Sequence, residues 1–412
     1  MNMVKRLALY VSFFVLFWVI HPNYLFSQKG DYNWLSGYDS YLVSDSSGGV
    51  LFGNTLMNFS ESPVNIRYDS LSMNFDFTNT SYSDSDGNLL FYTNGIYIAN
   101  SFNEMIENSD SLNAGWLQYD WDPSIQTNGY RIPEGVLIFP SITTPGQYLL
   151  IHSFIDSVPG SDGGNVYCSK IYATLVDMNL NNSHGGVLYK NKTILQGNLA
   201  AELTATRHGN GRDWWILVQE RNTNCYYKLV IDTGGVTLMP DQYCWGEIDD
   251  SNDIAATCFS PDGSKYIYFS YFNGISIFDF DRCTGELSNP TFIPLTILHD
   301  SIWTGMGVAI SQSNRFLYVS ATEQVYQYDL TTSDIAGSID TVAIYHNYLA
   351  PFGSYFNTEQ IGPDGKIYIS CGNADSVYHV INNPDAKGVE CNFVQHGVHL
   401  PSVSWGLPNF PK

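Results

Sequence analysis

The sequence predicts an all-β protein, a β-propeller expected to carry seven four-stranded blades, with six or eight as the alternatives. Three observations predict it. The first is composition: 29 Tyr among 412 residues, 15% aromatic residues and only 14% charged ones, a balance that favours strands because flat rings and β-branched side chains pack well on a pleated surface. The second is punctuation, with 35 Gly and 17 Pro breaking the chain at short intervals, the mark of many turns rather than of long helices. The third is a repeat that runs along the chain.

The repeat is a tight turn followed by a short aromatic and β-branched strand. Ser260-Pro261-Asp262-Gly263 leads into Lys265 to Ser270, Ser311 to Asn314 into Phe316 to Ser320, and Gly362-Pro363-Asp364-Gly365 into Ile367 to Ser370. Weaker copies turn at Gly87, Gly146 and Gly211. The turn positions 87, 146, 211, 263, 314 and 365 are spaced by 59, 65, 52, 51 and 51 residues, close to the period of propeller blades. Gly or Asn at each supplies the positive φ that such a turn demands.

The residues around each turn supply the rest of a blade. A strand precedes the turn at Gly135 to Phe139, Leu203 to Arg207, Ala255 to Phe259 and Gly307 to Ile310. A third strand follows, as in Ile171 to Asp177, Tyr226 to Asp232, Gly274 to Asp279, Val325 to Asp329 and Val377 to Asn382. Alternation along them is imperfect, as expected of strands covered on both faces. The pieces left over, Tyr32 to Arg67 and Cys391 to Trp405, are each too short for a blade. Joined, N- and C-terminal strands would complete a seventh and close the ring, hiding its sheet edges. The long insert Asn100 to Arg131 is expected to be an exposed connection.

The first 27 residues read as a secretory signal peptide, with residues 28–412 forming one propeller domain. Lys5 and Arg6 precede an apolar run from Leu7 to Ile20, and Ser27 offers a small residue at the cleavage point. At about 14 residues the run is shorter than the ~20 needed to span a bilayer. No Cys follows it for lipidation, and no other apolar run is long enough to cross a membrane. The mature chain would carry 16 basic and 40 acidic residues, a net charge of −24. That field repels phosphate backbones and excludes nucleic acid as a partner. Export into an oxidising compartment permits disulfides among the seven Cys, an odd number that leaves at least one thiol over. Their connectivity does not follow from spacing, and no CxxC or Cys/His pattern suggests zinc.

The repeat at Phe259-Ser260-Pro261-Asp262-Gly263 resembles the WD40-like, TolB-type propeller repeat and the YVTN/lactonase-like propellers. A closer resemblance is to a group of uncharacterised exported propeller proteins of Bacteroidetes. It rests on Asn88 to Gly95, Arg207 to Trp215, Phe280 to Gly285, His379 to Asp385 and Leu407 to Pro411. The resemblance implies a propeller fold and export, and it implies no agreed activity. Members of that group usually continue into a type IX secretion sorting domain. The sequence to Lys412 has none, which leaves a periplasmic and a surface or extracellular location both open.

Familiar catalytic motifs are missing: there is no GxSxG elbow, HExxH, P-loop or dinucleotide fingerprint. One constellation is a candidate ligand site. Acids stand before several innermost strands, at Glu134, Glu202, Asp253 and Glu359, where they would ring one mouth of the central channel. Such a ring suits a polar ligand, or Ca²⁺ or Mg²⁺ through hard oxygen ligands; close carboxylates also raise one another's pKa and serve as acid and base. The structural alternative is that they bond neighbouring amides or face water. Arg207 and His208, at the end of the strand that Glu202 precedes, join the candidate list, with His208 as a general base. His152, His299 and His346 read as structural. Asp84 to Asn88 reads as a hairpin, lacking the Glu that closes an EF-hand loop. Trp214-Trp215 suits either sugar stacking or blade packing.

Two function classes follow. One is a non-catalytic binding or scaffold module of the cell envelope or exterior, monomeric, with a protein or glycan ligand. The other is a propeller hydrolase, lactonase-like or glycan-cleaving, that uses the channel-mouth carboxylates. Convergence of the four acids on one cleft is the feature that would favour a ligand site over a scaffold.

Overall fold

The computed structural model describes residues 29–38, 52–75, 77–115, 129–157, 166–240, 243–244, 246, 255–270, 273–295 and 305–412. The signal-peptide segment, Asp253 and His299 lie outside them. The chain is a β-propeller. Blade 1 holds β1 (Asn33–Tyr38), β2 (Gly53–Asn58) and β3 (Asn65–Asp69); blade 2 holds β4 (Thr80–Ser83), β5 (Leu89–Thr93) and β6 (Ile98–Asn100). Blade 3 has β7 (Val136–Pro140), β8 (Gln147–Ser157), β9 (Val166–Asp177) and β10 (Gly186–Leu199). Blade 4 has β11 (Thr204–Arg207), β12 (Trp214–Glu220), β13 (Cys225–Asp232) and β14 (Gly235–Leu238), with the short β15 (Tyr243–Cys244) also on β13. Blade 5 runs β16 (Ala255–Phe259), β17 (Lys265–Ser270), β18 (Gly274–Asp281), β19 (Glu286–Pro294). Blade 6 runs β20 (Met306–Ile310), β21 (Phe316–Ala321), β22 (Gln324–Asp329), β23 (Asp340–Ile344). Blade 7 runs β24 (Phe356–Ile361), β25 (Ile367–Cys371), β26 (Asp375–Ile381), β27 (Phe393–Ser404). Every pairing between these strands is antiparallel, and one residue pair, Leu199 with Glu220, links the sheets of blades 3 and 4.

All six predicted turn positions carry positive φ, from +63° at Asn314 to +89° at Gly87. At Gly87, Gly211, Gly263, Asn314 and Gly365 the turn residue's N–H donates to the carbonyl three residues earlier, so the repeat in sequence is a repeat of one hairpin geometry. Inner strands β16, β20 and β24 are buried along their whole length, because each lies between two neighbouring blades. Aromatic wedges fill those gaps. Between blades 4 and 5, Tyr226 meets Tyr266 and Phe278 at 5.7 and 5.4 Å between ring centroids.

The two ends of the chain meet, but through side chains rather than within one sheet. β27 pairs with β26 and stays in blade 7, while β1 to β3 form a three-stranded sheet of their own. Closure comes from Trp34 of β1, whose ring lies 5.4 Å from Tyr368 of β25 and 4.8 Å from Phe59, and from the Thr55–Ser402 hydroxyl pair at 2.8 Å. Past β27, residues Trp405 to Lys412 form no strand. They pass down the axis of the ring.

The insert after β6 is only partly an open connection. Ile106 and Leu112 are buried in the core of blades 2 and 3, and Glu107 bridges to Gly186 of β10; residues 116–128 of the insert lie outside the described residues. Cys225 and Cys244 stand opposite each other on β13 and β15 and form a disulfide, which leaves Cys168, Cys258, Cys283, Cys371 and Cys391 as free thiols.

Candidate functional site

The axis of the ring is divided by the chain's own C-terminal segment. Asn409 anchors it: its N–H donates to the Asn79 carbonyl at 2.9 Å and its carbonyl accepts from the Thr80 hydroxyl at 2.7 Å. Its side-chain amide nitrogen lies 3.0, 3.3 and 2.9 Å from the carbonyls of Glu134, Val136 and Leu203. Phe410 is buried, with its ring 6.0 Å from Trp34. Further along, the Lys412 N–H donates to Ala205 and its carbonyl accepts from the Arg207 N–H.

Above the segment, at the mouth where the inner strands begin, is a cavity of about 240 Å³. Phe77, Tyr355 and Trp405 supply its aromatic wall, and Arg131, Glu134 and Asn357 its polar groups. Trp405 is wedged against Phe77 and Tyr38 at 4.9 and 5.1 Å. Beneath lies a pocket of about 10 Å³, room for about one water, lined by Glu134, Glu359, Asn409 and Lys412 among others. A third space of about 100 Å³ opens on the far side beside Asp31, Tyr82, Trp214 and Pro411.

Glu134 forms part of both the mouth cavity and the small pocket. It sits in the turn before β7 with φ +53°, a left-handed conformation that is uncommon for a residue with a side chain and that collects at functional sites. Leu203 N–H and the Asn409 amide hold its carbonyl. That turn carries its carboxylate to β16 of blade 5, where the Thr257 N–H donates at 3.2 Å and the Thr257 hydroxyl lies at 3.4 Å. Burial pushes its pKa up to about 8; the Thr257 amide opposes the rise and the neighbouring Glu202 carboxylate adds to it. Glu202, almost fully buried, accepts from the Ala201 N–H at 3.1 Å. Burial raises its pKa to about 7 against the pull of nearby backbone amides and of Arg221.

Glu359 departs from the expected position. It is the fourth residue of β24 rather than an acid before the strand. Its Oε1 accepts from the Ser320 hydroxyl at 2.6 Å, its Oε2 is buried without a protein partner, and burial raises its pKa to about 8. It approaches blade 6 over Gly307, where a Cβ would stand 2.8 Å from its Cγ. Lys412 completes the group. Burial lowers its pKa to about 8, while Asp31, Cys258 and Glu134 oppose that fall.

The structure therefore brings Glu134 and Glu202 together, and lines one pocket with Glu134 and Glu359. It does not bring Arg207 and His208 to them. Those two close β11 at the end opposite Glu202, at the hairpin face, because a strand carries its two ends to opposite faces of the disc. Arg207 lies over the Trp214 ring at 3.8 Å, and His208 stacks on Trp215 at 5.2 Å and accepts from the Asn210 N–H. Trp214 and Trp215 are thus buried blade residues. Among the described residues no three His, Cys, Asp or Glu side chains are placed to hold a metal ion; the oxygens of Glu134 and Glu202 face backbone N–H groups. His152 is a satisfied core residue, 2.7 Å from Asn113 and 2.9 Å from Thr174.

Sequence reasoning missed Arg131, Phe77, Tyr355, Asn357 and Trp405. They come from four separate stretches of chain and carry no shared motif. The sequence did mark Leu407 to Pro411 as distinctive, yet nothing in it says that this stretch enters the channel.

No protein-family model matches the chain, and no curated protein matches it. Solved structures similar to it are propeller-like. A proposed 6-phosphogluconolactonase from Bacteroides uniformis is 12% identical, with 91% of this chain and 98% of that one covered at a TM-score of 0.48. The periplasmic gluconolactonase of Pseudomonas aeruginosa is 10% identical, with 90% and 97% covered at 0.44. The Dos1 propeller is 13% identical, with 80% and 85% covered at 0.41.

Proposed function

We propose that this protein is an exported, monomeric propeller that binds a small polar molecule, of sugar-ring size, at the axial mouth and acts without catalysis. The observation that carries this reading is the cavity of about 240 Å³ in which three aromatic rings face Arg131, Glu134 and Asn357. A few polar groups on an apolar, aromatic wall are the usual composition of a ligand pocket, and its volume sits just below the usual range, which begins at about 300 Å³. At neutral pH Glu134, with a pKa near 8, keeps its proton and donates a hydrogen bond, which suits a hydroxyl or carbonyl oxygen of the ligand. Export is supported by the basic and apolar start of the chain and by the Cys225–Cys244 disulfide, a bond at home in oxidising compartments. Among the described residues no helix is long and apolar enough to cross a membrane.

One observation favours the second reading, a hydrolase. Glu134 and Glu202 are neighbouring carboxyls with pKa values near 8 and 7, the range in which a general acid and base work at physiological pH.

A screen of monosaccharides, sugar acids and sugar lactones by melting temperature, followed by calorimetry, tests the first reading. Binding that is lost in Trp405→Ala and weakened in Glu134→Gln supports it; a screen with no binder, or binding indifferent to both changes, overturns it. Release of acid from a bound lactone, abolished in Glu134→Gln, would move the assignment to the hydrolase. Calcium and magnesium alone form a further arm, and a shift with either would assign the acids to a cation.

A further inference from the structure

We propose that the disc carries a second ligand site on its hairpin face, in the space of about 100 Å³ beside Asp31, Tyr82 and Trp214, and that this site takes a small neutral polyol. It is independent of the axial mouth, because Phe410 and Pro411 of the C-terminal segment form a fixed part of its wall. Three elements build it. The turn from Lys29 to Tyr32 is tied to β4 by the Ser83 N–H, which donates to the Gly30 carbonyl at 2.9 Å. A Cβ on Gly30 would stand 2.8 Å from the Tyr82 ring, so the missing side chain lets this turn close on that ring and set Asp31 beside it. Tyr82 is held by Tyr148 and Phe91, at 4.8 and 6.2 Å between ring centroids. Trp214 opens β12, with the Arg207 guanidinium 3.8 Å over its ring. The polar groups of the space are unpaired. Asp31 and Tyr82 are half-buried. Among the described residues the Asp31 carboxyl meets no hydrogen-bond donor beyond its own backbone N–H, and the Tyr82 hydroxyl meets none at all. The indole N–H of Trp214, a residue only 5% exposed, is also without a partner. Native structures pair nearly all buried polar groups. An unpaired indole N–H on the wall of a space that already holds an unpaired carboxyl and phenol points to a ligand.

The ligand class follows from what these groups can exchange. An ionised carboxyl only accepts, an indole N–H only donates, and a phenol does both. Neighbouring hydroxyls serve all three, since each donates and accepts. Charge disfavours the other classes. Asp31 repels an anion, while Lys412, whose charge acts on Asp31, and Arg207, whose charge acts on Tyr82, oppose a cation. Ile138, Trp214, Phe410 and Pro411 give an apolar wall, which suits the C–H groups of such a molecule. One water needs about 10–15 Å³ of such space; the site holds several times that and less than half the volume of the mouth cavity, which sets the size at an open-chain polyol rather than a sugar ring.

The test is an NMR titration of the purified protein with erythritol and with xylitol, read at the indole N–H signals of Trp214 and Trp405, with choline and acetate as charged comparators. The expected result is a saturable shift at Trp214 with a polyol and none with choline or acetate. Asp31→Asn should weaken that binding about tenfold or more, since a bond to a charged acceptor is lost, and Tyr82→Phe about threefold to tenfold. No saturable shift at Trp214, or the same affinity in Asp31→Asn as in the unmodified protein, overturns the proposal. A shift at Trp214 with choline or acetate alone overturns the polyol assignment. Trp405 reports the axial mouth separately: a shift there alone leaves the mouth reading standing and sinks this one, and a shift at Trp214 alone does the reverse. Should the variants fail to fold, the preference of the unmodified protein for polyol over choline and acetate at Trp214 decides.

Discussion

Replacing Glu359 by Gln should change how the stability of this protein depends on pH, and the structure sets the size of the effect. Glu359 is 4% exposed, with Ser320 on one oxygen and no protein partner on the other. Burial raises its pKa from 4.5 to about 8. Between those values the folded chain holds a proton that the unfolded chain has released. Stability therefore falls as pH rises through this window, and the full benefit of the protonated acid is present only below about pH 4.5. At about 1.4 kcal/mol for each tenfold change in proton affinity, the ceiling is on the order of 5 kcal/mol by pH 9. The amide has the shape of the protonated acid and keeps the Ser320 bond, yet never ionises. E359Q should match the wild type near pH 5 within about 1 kcal/mol and exceed it by several kcal/mol at pH 9. Urea unfolding followed by Trp fluorescence at unit steps from pH 5 to 9 measures this. Parallel curves for the two proteins would refute the reasoning, because they would mean that Glu359 ionises in the folded state as freely as in the unfolded one. Glu134 and Glu202 bend the wild-type curve in the same direction, so E359Q reduces the slope without abolishing it.

Three further expectations rest on separate parts of the ring. Gly307→Ala would set a Cβ 2.4 Å from the Asn357 carbonyl and 2.6 Å from the Glu359 nitrogen, and prying blades 6 and 7 apart should cost about 1–3 kcal/mol in denaturant melts. Gly372→Ala, whose nearest neighbour is 3.7 Å away, should stay within about 0.5 kcal/mol, and equal costs at the two sites would discredit the close-approach argument. Changing Cys225 and Cys244 together to Ser releases a cross-link over a separation of 19 residues; the loss should be about 3 kcal/mol, and intact mass of the native protein should show two hydrogens fewer than the reduced form. Asp329 accepts from Arg315 at 2.7 Å and from Thr331, which holds its carboxyl well below its usual range. Asp329→Asn should cost about 1 kcal/mol at pH 7, since Arg315 is half exposed. Because the paired state contributes fully above the ordinary carboxyl pKa of 3.8 and is lost as pH falls through the lower pKa of the folded state, the difference from wild type should shrink progressively as the pH is taken below that value.

The strands were legible because their causes are local. A Gly or Asn with positive φ, an i to i+3 hydrogen bond and a β-branched or aromatic run need only ten residues to declare themselves, and all six turns form where they were read. The inner strands Val136–Pro140, Thr204–Arg207, Ala255–Phe259 and Met306–Ile310 start within one residue of their expected positions. The candidate site was legible only in part. Glu134 and Glu202 were found because an acid beside an apolar inner strand is visible in sequence. Glu359 was found under a mistaken reason, since β24 begins three residues earlier than its acid. Arg207 and His208 were grouped with the acids by nearness along the chain, whereas a strand carries neighbours in sequence to opposite faces.

By itself the sequence determined the repeat, the hairpin chemistry and the acidic, Tyr-rich character of the chain, because these depend on each residue's own backbone preference and on its neighbours. The tertiary structure alone decided how the ring closes and what fills its axis. Trp34 meets Tyr368 across more than 300 positions of sequence, and Asn409 reaches carbonyls of Glu134 and Leu203. Contacts at that separation are set by the geometry of the whole disc, by which carbonyls face the channel and which gap a ring can fill, and a window of sequence contains neither.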